Sequence, residues 1–191
     1  MCWMSFAINC RSGSTLGSVK QFRRKALPLV SGKGAYILSI FSNMLHGLTA
    51  DYTVTLDSGE VFSGRKTMIC VCNGRWYGGG FNPVPEAEPD DGLLDVLVVE
   101  KVNLLQVATV VGHYQKGRYA DYPSLIYHAR CRSLRIECVK ESVVNIDGEA
   151  AYTTDAKIEL IPQAIRFFYP KGLTYHTKNS QSGHKFAEIT P

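Results

Sequence analysis

The chain has 191 residues, 45% of them hydrophobic and 20% charged, with a net charge of +4. That is too apolar for a disordered chain, and long enough to bury a core without disulfides or a structural metal. No apolar run reaches the ~18 residues of a membrane-spanning helix, the start lacks the basic region of a secretory signal, and so mild a charge does not point to nucleic acid.

In chain order, the first marked feature is the basic run Lys20, Arg23, Arg24 and Lys25 around Phe22. It reads either as a solvated loop face or as a patch for anionic lipid headgroups. A helix is expected over Lys33–Leu48, where Ile37, Phe41, Met44, Leu45 and Leu48 share one stripe behind the Ser31-Gly-Lys-Gly34 turn. Tyr52–Leu56 and Glu60–Ser63 flank Asp57-Ser-Gly59 as a hairpin. Further strands are expected at Thr67–Cys72, Asp95–Glu100, Ser124–His128, Ser133–Val139, Val143–Ile146, Lys157–Ile161 and Ile165–Tyr169. A second helix runs from Asn103, a good N-cap with Gln106 three residues on, to about Lys116, with Gly117 as its stop. The tail from Lys171 is polar. Short strands separated by turn chemistry predict an antiparallel β-sandwich with two added helices.

The six cysteines (2, 10, 70, 72, 131 and 138) follow neither a disulfide framework nor a zinc-ribbon spacing. Cys70 and Cys72 fall on one face of a strand, so buried free thiols in a reducing, cytosolic compartment are expected. His113 and His128 belong to patterned elements and read as core or edge residues.

Three segments could carry chemistry. Asn73-Gly-Arg-Trp-Tyr-Gly-Gly-Gly80 allows positive φ angles and close approach, but Phe81-Asn-Pro-Val-Pro85 cannot open the helix that a phosphate loop needs. It reads as a structural turn or a substrate-lining loop built on Gly78, Gly79 and Gly80. Pro85–Asp95 packs five carboxylates into eleven residues. It offers hard oxygen ligands without the Asp-x-Asp-x-Asp-Gly calcium spacing, and from spacing alone an acidic surface turn is the plainer reading. Asn145-Ile-Asp-Gly-Glu149 reads as a hairpin tip that projects Glu149 from the return strand, where a carboxylate with tuned neighbours can act as a general base.

The order Asn73-Gly-x-x-x-Gly-Gly-Gly80, Pro85-x-Ala87-x-x-Asp-Asp-Gly92, a strand ending Glu100-Lys101, and Val-Asn-Ile-Asp-Gly-Glu149 resembles the bacterial diacylglycerol kinase and related lipid kinase family. Leu27–Tyr36 also looks like that family, and Phe6-Ala-Ile-Asn9 is similar to its strand leaving the hinge. The expected Gly-Phe-Asp beyond that strand is replaced by Cys10-Arg-Ser-Gly-Ser-Thr15.

The resemblance implies residues 1–26 as an atypical hinge segment, 27–170 as the β-sandwich C-terminal domain and 171–191 as a tail. It gives Glu149 the role of catalytic base. It also places a structural Mg²⁺ on the Asp91 carboxylate and the main-chain carbonyls of Glu88 and Leu93. The family's ATP signature, Gly-Gly-Asp-Gly-Thr, is absent from the 191 residues. ATP-Mg is therefore expected only through an N-terminal ATP-binding domain, and the isolated chain is expected to turn nothing over. The implied partner is a diacylglycerol-like lipid met at the inner membrane face from the cytoplasm, with a sphingoid base as another acceptor. A non-catalytic lipid- or protein-binding sandwich is the second reading.

Overall fold

A computed structural model describes residues 5–9, 49–77, 80–147 and 149–165. Seven strands form one antiparallel sheet: β1 (Ser5–Asn9), β2 (Ala50–Leu56), β3 (Val61–Cys72), β4 (Leu94–Glu100), β5 (Ile126–Cys131), β6 (Ser133–Ile146) and β7 (Glu149–Glu159). The single helix among the described residues is α1 (Leu104–Gln115). The expected helix at 33–48, the basic run at 20–25, Cys2, Cys10 and the tail from 171 lie outside the described residues, as do Gly78, Gly79 and residues 166–169 of the last expected strand.

Two expected strand breaks do not exist. β3 runs unbroken through the position read as a turn, because Gly64 adopts φ +98° and the β3–β4 register shifts between Lys66 and Met68. β6 runs through 139–143, with its own register shift against β7 between Glu137 and Ser142. The strand expected at Lys157–Ile161 is the end of the longer β7, and β5 starts two residues later than expected.

β1 and β2 share one lane. β1 pairs with the end of β3 and the end of β6, whereas β2 pairs with the earlier half of each. The lane order is therefore β7, β6, β1 with β2, β3, β4, β5. β5 and β6 are separated by three lanes, yet Arg132 alone joins them in sequence. The sheet must curl over itself, and Asp57 fastens the closure: its Oδ2 accepts from the Arg132 and Ser133 amides at 2.9 and 3.2 Å.

Alternation then defines two cores. Inside the curl, Tyr52, Val54, Ile69, Val71, Val96, Val98 and Ile136 pack together, which makes the architecture sandwich-like. On the other face, Cys70, Cys72, Leu97 and Val99 pack under Val110 and Tyr114 of α1 and under Phe81, Val84 and Ala87 of the β3–β4 connection. β4 is buried on both faces from Leu94 to Val99, which explains its unbroken apolar sequence. Cys70 and Cys72 are buried free thiols with sulfurs 3.5 Å apart.

The start of α1 is a complete capping box. Asn103 Oδ1 accepts from the Gln106 amide at 2.8 Å, and Gln106 Oε1 accepts from the Asn103 amide at 2.9 Å. Asn103→Ala should cost about 1 kcal/mol. Thermal unfolding should show a fall of roughly 2–4 °C for a chain of this size. An unchanged midpoint would mean that the helix start is held by packing instead. None of the described helices is long and apolar enough to cross a membrane.

Candidate functional site

The β3–β4 connection is built in two folds. Tyr77 and Phe81 bridge as a tight hairpin, with amide-to-carbonyl distances of 2.9 Å in both directions and Gly80 at φ +122°. Gly80 therefore serves a tight turn, and Gly78 and Gly79 lie outside the described residues. Asn73 and Asn82, at the two ends of this segment, each bury a side-chain oxygen that lacks a hydrogen-bond partner. The chain then docks on α1: the Asn82 amide donates to the Gln115 carbonyl at 3.0 Å, and the Phe81 and Tyr114 rings lie 6.5 Å apart.

The acidic segment follows as a second, tighter fold. Arg75 donates from Nε to the Ala87 carbonyl at 3.0 Å, and its guanidinium lies 3.7 Å from the buried Glu88 carboxylate. The Asp91 amide donates to the Glu88 carbonyl at 3.4 Å, and the Leu93 amide donates to Asp91 Oδ1 at 2.9 Å. Gly92 supplies the positive φ (+79°) that this turn needs.

The opposite wall comes from the β4–β5 pair. Asp95 faces Arg130 in register, with His128 one step along on the same face. Asp95 is 1% exposed. Its Oδ1 accepts from His128 Nε2 at 2.8 Å and lies 3.3 Å from Arg130 Nε, while Arg130 also holds Asp91 Oδ2. Tyr119, in a 3-10 turn after α1, stands 3.1 Å from His128 Nδ1 and donates its hydroxyl proton to Glu86. Burial, then the Glu86 carboxylate, hold that phenol far above its ordinary value, so it stays a donor. In the sequence Asp95 is visible only as one of five carboxylates, and Arg130 and Tyr119 carry no signal. The β4–β5 register that joins them is not written in either strand alone.

Glu149 is the first residue of β7, paired with Ile146 after a tip that sets Asp147 at φ +48°. Ile146 pairs with Phe6 of β1, Phe6 with Val71 of β3, and the next residues, Ser5 and Cys72, lead to Asp95 of β4. The Glu149 hairpin and the Asp91 loop thus open on the same edge of the sheet. Four lane steps separate them along the hydrogen-bonded sheet.

The acidic loop suits a hard cation by its chemistry. Among the described residues, Arg75 lies beside Glu88 and Arg130 beside Asp91 and Asp95. Asp95 Oδ2 is buried without a hydrogen-bond partner. Burial raises the Asp91 carboxyl above its ordinary value, against the opposing pull of the Leu93 amide and Arg130. No cluster of three metal-ligating side chains exists among the described residues. The donor set expected from the sequence, one carboxylate with main-chain carbonyls, is a composition that Mg²⁺ accepts with water filling the rest.

Fold and loop together define a curled, sandwich-like β domain with an acidic loop and the Glu149 hairpin on one edge in strand register. Residues 17–169 match the family model of the YegS C-terminal NAD kinase beta sandwich-like domain, and the chain belongs to that family. It is 26% identical over 166 residues to a Staphylococcus epidermidis "Diacylglycerol kinase", covering 87% of this chain and 52% of the relative. It is 30% identical over 139 residues to a Shewanella frigidimarina "Probable lipid kinase YegS-like", covering 73% and 44%. A crystal structure of a "putative diacylglycerol kinase" from Bacillus anthracis superposes with a TM-score of 0.59 at 26% identity, over 83% of this chain and 49% of that one. The chain spans about half the length of the curated relatives it matches.

Proposed function

We propose that this chain is the substrate-side domain of an ATP-dependent lipid kinase that phosphorylates the hydroxyl of a diacylglycerol-like lipid. The observation that carries the reading is the shared edge: the Glu149 hairpin and the Asp91 loop open on one side of the curled sheet. Glu149 accepts the hydroxyl proton as the lipid oxygen attacks the γ-phosphorus of ATP. One O–P bond forms as the bond to the ADP oxygen breaks, and the proton ends on the carboxylate. Phosphoryl transfer asks the protein mainly for position and charge compensation. A strand-end carboxylate beside a tight turn supplies position, because backbone pairing on the Ile146 side fixes its Cα. The ATP is held by an N-terminal domain, and the lipid is met at the cytoplasmic membrane face.

Asp91 and the carbonyls of Glu88 and Leu93 would hold Mg²⁺. The role of this site is structural: the ion would tie the Asp91 carboxylate to carbonyls of its own loop. Gly80 would border the lipid-facing side.

The test is label transfer from radiolabelled ATP to diacylglycerol in mixed vesicles. The chain joined to an ATP-binding half should form phosphatidic acid, and the 191 residues alone should form none. No transfer to any lipid by the joined protein, or turnover by the isolated chain, would overturn the reading.

A further inference from the structure

We propose that Arg130 is an exchangeable counter-ion of the acidic loop: it bridges Asp91 and Asp95 when no divalent cation is bound, and closes onto both oxygens of Asp95 when a cation takes Asp91. The inference rests on the cation reading above and adds to it a residue that competes for the site.

The geometry carries it in three parts. First, both oxygens of Asp91 are already engaged. Its Oδ1 accepts from the Leu93 amide at 2.9 Å and its Oδ2 is held by Arg130, so an incoming divalent ion meets a guanidinium already on the carboxylate. Like charges at such range repel strongly in a partly buried loop, and one of the two must move.

Second, Arg130 has somewhere to go. Its Nε already lies 3.3 Å from Asp95 Oδ1, and the other oxygen of that carboxylate, Oδ2, is buried with no partner. A guanidinium fork matches a carboxylate through two parallel N–H donors, so closing onto Asp95 satisfies an oxygen that is otherwise orphaned.

Third, the two partners differ in freedom. Asp95 is almost wholly buried and pinned by His128, which is itself braced by Tyr119. The Arg130 side chain is 41% exposed and stands on β5, which pairs only with β4 among the described strands. The arginine is the group that can swing.

The experiment is Mg²⁺ titration by calorimetry, with thermal unfolding in chelator and in saturating Mg²⁺ as the fold control, on the full chain and two variants. Arg130→Gln removes the competitor and should bind Mg²⁺ at least ~10-fold more tightly than wild type, with a larger gain in unfolding temperature on adding the ion. Arg130→Lys keeps the charge but cannot fork, so it should bind more weakly than wild type. If Arg130→Gln binds as wild type does or more weakly, Arg130 merely shapes the loop, and the proposal falls while the cation reading stands. If Arg130→Lys matches wild type, the closure onto Asp95 is wrong. If neither wild type nor Arg130→Gln binds Mg²⁺, the cation reading falls and takes this proposal with it.

Discussion

Glu149→Gln is expected to lower lipid phosphorylation by about 10²–10⁴-fold in the kinase that joins this domain to an ATP-binding half. The amide keeps the size of the side chain but cannot take the hydroxyl proton. The hairpin should survive, because its tip is set by the positive φ of Asp147 and its return by backbone pairing between Glu149 and Ile146. The loss should fall on kcat with KM for the lipid unchanged, since the proton is accepted only as the new O–P bond forms. Steady-state kinetics with unaltered thermal unfolding make the measurement. A loss smaller than ~10-fold would remove Glu149 from the base role.

Gly117→Ala should produce the largest loss of stability from a single methyl group. Gly117 follows the helix C-cap with φ +74°, and a Cβ there would meet Pro85 Cγ at 2.1 Å and the Asn82 carbonyl oxygen at 2.9 Å. The backbone conformation alone costs an L-residue about 1–2 kcal/mol. The overlap must also push the 82–85 segment off the helix end, which adds about 1–3 kcal/mol of overpacking. Together these predict a fall in unfolding temperature of roughly 5–15 °C. Because the displaced segment leads directly into the acidic loop, Mg²⁺ binding should weaken as well. A fall of less than ~2 °C would show that helix and loop are not locked together at this point.

Element types were legible where local chemistry was decisive. The α1 capping box, the Asp57-Ser-Gly59 turn and the stop at Gly117 are read from neighbours within four residues, and the structure has all three. Strand lengths were not legible. Gly64 interrupts the pattern of β3 as a turn would, yet the strand continues because β2 pairs with it from Val61 to Lys66 and β4 takes up its other side from Lys66. The same holds for β6 near residue 140, where the charged stretch Lys140-Glu141 reads as a break but lies on a strand bent between β2 and β1.

The candidate site divides the same way. The Asp91 loop and the Glu149 hairpin are contiguous in sequence, so their residue types and spacing pointed to them directly. The wall brings Asp95 to His128 and Arg130, more than thirty residues further along the chain, with Tyr119 from between them, and depends on a cross-strand register.

The sequence by itself determined a β-rich domain, one capped helix after Asn103, a pair of buried thiols and two short motifs of lipid kinase type. These follow from side-chain period, capping and turn residues, all of which act over a few positions. Tertiary structure decided that β1 and β2 share a lane, that the sheet curls until Arg132 alone spans β5 to β6, and that Arg130 sits between Asp91 and Asp95. Those outcomes depend on which distant strands pair and in what register, and the free energy that selects them comes from burying both faces of β3 and β4 at once.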